Sequence, residues 1–559
     1  MPATNGHPPP LRGEGREGLA LALLLTPSLS FAQSTEPARV PQRGAGDEGA
    51  ASEAEPYADA PGTTPIHEAT RSVANSPDQR ITLSGFLRTR GDLANNWDLG
   101  RGPTPSMRAL WPTPYAGPSP GHTQTSLDMR LRLDVAIDVG WGVTVRGRIH
   151  ALDNLRYGST PEGDFSGGTI NQRGPDRPLD LRQLYGQVLL PFGMLSAGRM
   201  GALVDWGTGF FVNSGNGIDD DWGDVGDRVA FTTPLAGLLW TALYEISASG
   251  PSTEALRPEI RPALDVDPSD DVRTVAFSVA KWDLPATRDR RLRARRTTLN
   301  LGLVGSHRWQ TYDLIAGDVP SSRSTIQRDL SAWVADAWVR ADVGSFTFEA
   351  EGAFVGFSIQ NASLDPAASL NVAVTGRQFG GVARAEYRGG ERFFARLEAG
   401  FASGDDHAGM GARPGNTVAR PGDLDGLQFD LTRTPRDTTI NNFRFHPNYR
   451  VDLILWRRIL GTVTDAMYVR PMARYRIGPM LTVEGAVIFS TALERNSTPS
   501  GAAPLGVEAD LGLLYEQEHG FFARLDYGLL LPLAGLSNVV SHVDPSPAHA
   551  LHLVMAWRY

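Results

Sequence analysis

Cysteine is missing from this chain of 559 residues, and lysine nearly so, because Lys281 is the only one and every other cationic side chain is an arginine. The absence of cysteine excludes disulfide bonds, thiolate metal sites and cysteine nucleophiles. After residue 26 there is also no stretch of about 18 apolar residues, which argues against a helical membrane protein. The formal net charge of −9 argues against a general nucleic-acid-binding protein.

Glycine and proline, by contrast, are abundant, with 61 and 40 residues. This content suits a turn-rich all-β protein better than a helical one. The length alone would allow three or four soluble domains of ordinary size, or one large β-barrel. The pattern along the chain has to decide between these two possibilities.

The N-terminal 32 residues have the pattern of an export signal. Leu19–Leu25 is a short apolar run, and the small residues Ser30 and Ala32 fit cleavage after Ala32. A buried N-terminal helix is the alternative for residues 1–32. Residues 33–78 are rich in alanine, proline, glutamate, glycine and serine and have few large apolar side chains, so they are predicted to be a disordered periplasmic segment.

Alternation of apolar and polar residues is the main signal in the rest of the chain. Between Leu127 and Val139 every odd position is apolar, whereas the even positions are charged except for Ala136. Because successive side chains of a strand point to opposite faces, this segment is predicted to be a strand with one apolar and one charged face. Similar segments recur from a first strand, Ile81–Asp92, to a last strand, Leu551–Tyr559, and number about 18.

The connections between these segments alternate in length. One set consists of short turns and the other of long polar loops, the longest of which is residues 405–464. Short turns at one end and long loops at the other are typical of an outer-membrane barrel, with turns in the periplasm and loops outside the cell. Residues 79–559 are therefore predicted to form one transmembrane antiparallel up-and-down β-barrel of about 18 strands. A soluble β-sandwich or propeller is the alternative, because its strands alternate too.

The C-terminal residues carry the most specific local pattern. Leu551, Leu553, Met555, Trp557 and Tyr559 occupy alternate positions up to a terminal aromatic side chain. The pattern resembles the last-strand signal read by the machinery that assembles outer-membrane barrels. It predicts the barrel assembly machinery as a partner and the cell outer membrane as the location.

Several motifs resemble a known group of proteins. They are Gly198-Arg199-Met200, Asp205-Trp206-Gly207-Thr208-Gly209, Asp219-Asp220-Asp221-Trp222-Gly223-Asp224, Asp227-Arg228-Val229 and Tyr449-Arg450-Val451-Asp452-Leu453-Ile454-Leu455-Trp456. Residues 79–559 as a whole resemble large porin-type barrels of Gram-negative bacteria. The motifs resemble an uncharacterised outer-membrane family of myxobacteria, with alginate-export-type and other 18-stranded porins as more distant analogues. The resemblance implies a barrel surrounded by outer-membrane lipid and lipopolysaccharide, and it supplies no substrate.

The lumen of a barrel of this size is wide enough for water, and its inward side chains decide which solutes pass. Arginine binds carboxylate and phosphate groups through two parallel hydrogen bonds, so a wall rich in arginine predicts a preference for anions. The alternative is that these charges pair with each other across strands. The predicted pore-lining residues are Arg130, Arg132, Arg146, Arg148, Arg384, Arg388, Arg392, Arg396, Arg470, Arg474, Arg476, Glu349, Glu351, Glu484, Glu508 and Asp510.

The long loop contains a possible constriction. Tyr449, Leu453, Trp456 and Leu460 recur at helical spacing, which predicts an amphipathic helix over residues 449–460 that narrows the pore. An additional strand is the alternative, because residues 451, 453 and 455 also alternate.

An acidic cluster offers one weak metal candidate. Asp219, Asp221 and Asp224 could supply carboxylate oxygens to Ca²⁺, although their spacing does not match an EF-hand. A solvated acidic loop, or one whose carboxylates pair with arginines in the lumen, is the favoured interpretation. No cofactor or metal is predicted.

Enzyme motifs were not found. The segment Asn213–Gly217 lacks the histidine and the residue order of outer-membrane phospholipases, and there is no Gly-x-Ser-x-Gly, His-Glu-x-x-His or Walker A sequence. The sequence thus predicts a porin-like channel, not an enzyme, through which small polar solutes, with anions as a candidate class, diffuse passively. A non-conducting structural or surface-binding barrel closed by residues 405–464 is the alternative. The oligomeric state stays open.

Overall fold

The computed structural model describes residues 80–107, 110–111, 121–157, 179–201, 206–250, 265, 267–283, 285–314, 325–362, 372–411, 418–432, 434–517 and 520–559. The predicted signal peptide (1–32) and periplasmic segment (33–78) lie outside the described residues and stay predictions. Among the residues described, no helix is both long and apolar enough to cross a lipid bilayer.

The described residues form a closed sheet of 18 antiparallel strands, which confirms the predicted transmembrane up-and-down barrel. Each strand pairs with its neighbours in sequence, and the last strand returns to pair with the first. The strands are β1 (Arg80–Asn95), β2 (Thr123–Gly140), β3 (Val143–Arg156), β4 (Leu179–Leu190), β5 (Gly193–Met200), β6 (Gly226–Leu235), β7 (Leu238–Ala248), β8 (Val272–Lys281), β9 (Thr298–Leu314), β10 (Thr325–Val343), β11 (Phe346–Ile359), β12 (Val374–Gly389), β13 (Phe393–Ala402), β14 (Ala466–Arg476), β15 (Leu481–Ala492), β16 (Pro504–Glu516), β17 (Phe521–Pro532) and β18 (Ala548–Arg558).

The alternating sequence explains which face of the sheet meets lipid. Leu397 on β13 and Val483 on β15 are 53% and 36% exposed on the outer face. Their neighbours Glu398 and Glu484 point inward and are only 1% and 8% exposed. Since successive side chains of a strand alternate between the faces, the apolar set forms the outer band and the charged set the interior.

Aromatic side chains gather on the outer surface near the short-turn end. The rings of Phe346 on β11 and Tyr387 on β12 lie 5.1 Å apart, and those of Phe521 on β17 and Trp557 on β18 lie 5.5 Å apart, between centroids. Aromatic rings at strand ends are typical of the level where a barrel passes from hydrocarbon to water.

The connections follow the predicted alternation, with one addition. Turns of two residues join β2 to β3, β4 to β5, β6 to β7 and β10 to β11 at the same end of the barrel. The connection from β8 to β9 at this end is longer and contains the helix α1 (Pro285–Arg293). The 3₁₀ turns Arg495–Ser497 and Ala534–Leu536 belong to loops at the opposite end.

Two loops from that opposite end fold back into the barrel. We call residues 206–224 the first inner segment and residues 442–465 the second inner segment. The second is part of the predicted long loop and contributes buried apolar side chains, of which Phe443, Ile454, Trp456 and Leu460 are at most 1% exposed. The lumen is therefore largely filled by protein.

The predicted helix over residues 449–460 forms only in part. A single π-helical turn spans Leu455–Ile459, whereas Tyr449–Ile454 is not helical. The alternative of an additional strand does not form here either, because no residue of 449–460 belongs to the sheet. The physical reason lies in how the barrel wall captures the backbone of this segment, which is described below.

Candidate functional site

A cavity of about 870 Å³ lies inside the barrel, toward the end with the short turns. Its wall consists of inward side chains from β9 to β17, its mouth includes the β12–β13 turn and α1, and its inner end is formed by both inner segments. The lining contains twelve arginines and eleven acidic residues. The arginines are Arg288, Arg293, Arg340, Arg384, Arg388, Arg396, Arg450, Arg457, Arg470, Arg474, Arg476 and Arg524; the acidic residues are Asp220, Asp283, Asp289, Asp452, Asp510, Asp526, Glu349, Glu386, Glu391, Glu398 and Glu484.

The predicted pore-lining residues divide into two groups. Nine of them line the cavity: Arg384, Arg388, Arg396, Arg470, Arg474, Arg476, Glu349, Glu484 and Asp510. Arg392 is exposed in the β12–β13 turn. The other six point inward but contact the inner segments or a neighbouring strand instead of the cavity: Arg130, Arg132, Arg146, Arg148, Glu351 and Glu508.

Many charges on the cavity wall pair with each other across neighbouring strands. Arg384 Nε donates to Glu398 at 3.0 Å, and Arg396 Nη2 lies 2.7 Å from Glu386. These ion pairs match the alternative in which the lumen charges neutralise one another. They also fix the side chains, so that the wall offers rows of oriented groups rather than freely rotating charges.

Arg470 differs from its neighbours on this wall. Its Nε atom is buried and has no hydrogen-bond partner among the described residues. The side chain lies on β14 and lines the cavity near its inner end. Because this Nε is buried, a solute in the cavity cannot contact it unless the side chain moves.

The first inner segment is attached to the wall formed by β2, β3 and β11. Arg132 and Arg148 both donate to Asn216, to its carbonyl oxygen and its side-chain oxygen respectively, each at 2.7 Å. On the opposite side Glu351 accepts the backbone N–H of Thr208. Arg132, Arg148 and Glu351 thus point into the barrel, as the alternation predicts, and there they bind the first inner segment.

Asp219 of the first inner segment is the centre of a buried ionic cluster. Its carboxylate accepts from Arg90 of β1 at 3.1 Å and lies 3.0 Å from Nε2 of His552 on β18. From the second inner segment, Arg450 and Arg457 also donate to it, Arg457 at 2.7 Å. Asp219 therefore joins both inner segments to the barrel at the β1–β18 pair.

The cluster extends to Asp92 of β1. Nδ1 of His552 lies 2.6 Å from Asp92, so this imidazole bridges two carboxylates, Asp92 and Asp219. Arg458 of the second inner segment donates to Asp92 at 2.8 Å. Removal of one partner would leave the others buried and uncompensated, which makes such clusters costly to break.

The Ca²⁺ candidate has a different use. Burial alone would raise the pKa of Asp219, but Arg450, Arg457 and His552 hold that pKa well below its ordinary value. Asp221 pairs with Arg90 at 2.7 Å. The carboxylate oxygens of Asp219 and Asp221 that would bind a cation are thus paired with guanidinium groups. These two residues fit the predicted pairing with arginines rather than a Ca²⁺ site.

Asp224, the third member, lies apart from that cluster. It accepts the backbone N–H of Asn213 at 2.9 Å, and burial raises the pKa of Asp224 to about 7. Nε2 of His446 lies 3.7 Å away, and burial lowers the pKa of His446 to about 4. At physiological pH His446 is thereby neutral, whereas Asp224 is about half ionised.

Glu508 of β16 captures the backbone of the second inner segment. Its carboxylate accepts the N–H groups of Leu453, Ile454 and Leu455 at 2.9, 2.7 and 3.0 Å. Asp452 in turn accepts the N–H of Trp456 at 3.0 Å. Because these N–H groups bond to carboxylates, a regular helix cannot begin before residue 455, which explains the single π-helical turn.

Aromatic rings fill the space between the two inner segments. Phe210 of the first lies 4.9 Å from Phe445 and 5.8 Å from Phe443 of the second, between ring centroids. Tyr449 closes the cluster, and its hydroxyl accepts from Arg384 of the cavity wall at 2.9 Å. The constriction is therefore a packed apolar body with a charged periphery.

Several solved structures of outer-membrane proteins are similar to this chain at low sequence identity. It is similar to a BenF-like porin from Pseudomonas fluorescens (12% identity, 86% of this chain and 98% of that chain, TM-score 0.42). It is also similar to the outer membrane protein OpdK from Pseudomonas aeruginosa (11%, 86% and 98%, 0.40) and to the outer membrane channel DcaP of Acinetobacter baumannii (12%, 87% and 99%, 0.36). No family model matches the chain. No curated protein matches it either. The resemblance to a myxobacterial family stays a prediction.

Sequence reasoning missed several residues of the inner constriction. Arg88 and Arg90 of β1 alternate with the uncharged residues Leu87, Thr89 and Gly91, so their inward orientation was readable from the pattern. The inward orientation of His552 was readable in the same way from its place between Leu551 and Leu553, whereas Arg457 and Arg458 carried no comparable signal, because their partners are distant in the sequence. The basic helix α1 at the mouth was missed as well.

Asp219→Asn is expected to loosen both inner segments. The pKa of Asp219 lies below that of an unfolded aspartate, about 3.9, so the ionised group stabilises the native state above that value, and the stabilisation disappears as the pH falls through the lower native pKa. At pH 7 the amide replaces a carboxylate that faces three arginines and a histidine. We expect a loss of about 3 kcal/mol, in the range of a broken buried ion pair, measured by urea titration of the refolded barrel. Asp227→Asn, at an exposed pair with Arg199, is the control and should change little.

Proposed function

We propose that this protein is a porin-like channel of the outer membrane, through which small polar solutes diffuse passively. The observation that carries the proposal is the charged cavity inside a barrel with an apolar exterior. Water and ions are stable in such a cavity, and its oriented charges select among solutes without any energy source. Anions are the favoured class, because twelve arginines line the cavity and a guanidinium group can bind a carboxylate or phosphate through two parallel hydrogen bonds.

The test is ion conductance of the purified, refolded protein in a planar bilayer. Discrete current steps are expected from a barrel that shows heat-modifiable migration on gels. If the folded barrel repeatedly produces no current steps, the channel proposal is contradicted.

Ion selectivity tests the basic wall. The variant Arg396→Gln, Arg470→Gln, Arg474→Gln removes three positive charges from the cavity lining and is expected to lower the anion-to-cation permeability ratio by at least about twofold. The matched variant Arg199→Gln, Arg273→Gln, Arg377→Gln removes three outward arginines and should leave the ratio unchanged. If the anion-to-cation permeability ratio is the same in both variants and the wild type, the proposed anion preference is contradicted.

A non-conducting structural or surface-binding barrel is the second candidate. The filled lumen favours it, because the two inner segments contact each other and the wall at the β1–β18 pair. The same conductance recordings separate the two candidates, since only a channel produces steps.

Envelope partners complete the proposal. Leu551, Leu553, Met555 and Trp557 occupy alternate positions on the outward face of β18, and the N–H of Tyr559 donates to Gly85 of β1 at 3.1 Å. These residues would present the C-terminal signal to the barrel assembly machinery before closure. The exposed outer band would then contact outer-membrane lipid and lipopolysaccharide.

A further inference from the structure

Helix α1 is an unusually basic element at the short-turn end. Residues 288–296 contain six arginines and one acidic residue, Asp289. Arg291 pairs with Asp283 at 3.0 Å, whereas the side chains of Arg290, Arg293, Arg295 and Arg296 are exposed and have no hydrogen-bond or ion-pair partner among the described residues. Like charges three or four residues apart in a helix repel each other, so an anionic partner would stabilise this element.

The helix lies over the mouth of the cavity. Arg288, Asp289, Leu292 and Arg293 belong to the cavity lining. The basic surface therefore borders the opening of the lumen instead of the lipid-facing side of the barrel. An occupant of this surface has to come from the aqueous space at the short-turn end, which is the periplasm under the proposed function.

The chain itself contains a segment of opposite charge shortly before β1 in the sequence. Residues 44–70 include six acidic side chains and neither lysine nor arginine: Asp47, Glu48, Glu53, Glu55, Asp59 and Glu68. They precede β1, whose first residue, Arg80, lies at the short-turn end. The acidic segment is thus covalently tied to the rim on which α1 lies.

The connection is long enough to reach the helix. A barrel of 18 strands spaced about 4.8 Å apart and tilted by about 40° has a diameter of about 36 Å. Residues 60–79 can extend over about 66 Å at 3.3 Å per residue. Tethering also keeps the segment near the helix at an effective concentration in the millimolar range, about what weak ionic contacts need.

We propose that residues 44–70 dock on α1 at the periplasmic mouth of the barrel. The proposal rests on the proposed function for its topology, because an exported chain with periplasmic turns places both elements in the same compartment. The acidic side chains would pair with Arg290, Arg293, Arg295 and Arg296. Peptidoglycan and inner-leaflet lipid headgroups are anionic too, but α1 belongs to the mouth lining and they are not tethered beside it.

The absence of cysteine permits a clean test on the full chain. Ala58→Cys in the acidic segment is combined with Ala294→Cys directly after α1, and disulfide formation is followed in the refolded protein at low salt. The control combines Ala58→Cys with Met480→Cys in the β14–β15 turn, which is closer to β1 around the barrel than α1 is. Docking predicts cross-linking at residue 294 that is about tenfold faster than at residue 480.

Two further measurements complete the test. At 1 M salt, where charges are screened beyond about 3 Å, the preference for residue 294 should disappear. It should also disappear when Arg290, Arg293, Arg295 and Arg296 are replaced by glutamine.

The proposal would be overturned by equal cross-linking rates at residues 294 and 480. It would also be overturned if the preference for residue 294 persisted both at 1 M salt and in the glutamine variant. An anionic component of the envelope would be the partner instead if two results occur together. Cross-linking rates at residues 294 and 480 would be equal, and the wild type, but not the glutamine variant, would co-sediment with peptidoglycan or anionic vesicles. The disulfide readout needs no ionic current, so its failure is distinct from failure of the channel proposal.

Discussion

The double variant Arg450→Gln, Arg457→Gln is expected to increase the open probability of the proposed channel by about two orders of magnitude. Both arginines belong to the second inner segment and donate to Asp219. Breaking a buried ion pair costs about 3–5 kcal/mol, which corresponds to a factor of about 10² or more in the equilibrium between the seated and displaced segment. Asp219 keeps Arg90 and His552 as partners but loses both guanidinium groups of the second inner segment, so the remaining contacts no longer hold that segment to the wall.

Single-channel recording measures this effect directly. The variant should show longer and more frequent open periods than the wild type at the same voltage, whereas Arg199→Gln, on the outer face, should behave like the wild type. Heat-modifiable migration on gels controls for the integrity of the barrel. If the folded variant opens no more often than the wild type, the ionic cluster does not hold the constriction.

The second large effect concerns Glu508, which accepts three backbone N–H groups from the second inner segment. Glu508→Ala leaves these donors buried without an acceptor, and each costs about 1–3 kcal/mol. The expected result is a displaced segment, a larger pore and a lower urea midpoint. Glu508→Gln keeps one acceptor oxygen and should have an intermediate effect.

A designed disulfide provides the control for this prediction. A Cβ placed at Gly528 of β17 would lie 3.2 Å from the Cβ of Leu453 in the second inner segment, near the separation of about 3.8 Å found in disulfides. Leu453→Cys with Gly528→Cys should therefore tie the segment to the wall. Oxidation should reverse the effect of Glu508→Ala on conductance, and reduction should restore it. No response of the triple variant to oxidation would show that Glu508 acts elsewhere.

The barrel could be predicted from the sequence because each strand and each turn has a pattern that lies within its own residues. Each strand signals its two faces by alternation, and each turn type follows from the length between strands, as in Leu127–Val139 and its return strand. The strand count and the polarity of the wall therefore needed no knowledge of distant contacts.

The inner constriction could not be predicted in the same way. Asp219 meets Arg90, Arg457 and His552, which are far from it in the sequence, and nothing local indicates these pairs. The spacing of Tyr449, Leu453 and Trp456 correctly indicated an apolar face. It could not indicate that Glu508 would capture the intervening N–H groups and limit the helix to one turn.

The pairing of β18 with β1 has a consequence for biogenesis. Phe86 pairs with Arg558 across the seam between β1 and β18, so a nascent chain cannot close the barrel before β18 has been synthesised. Ring closure over nearly the whole polypeptide carries a high contact order and is intrinsically slow. Deletion of β18 should therefore leave open-edged, aggregation-prone sheets rather than smaller barrels.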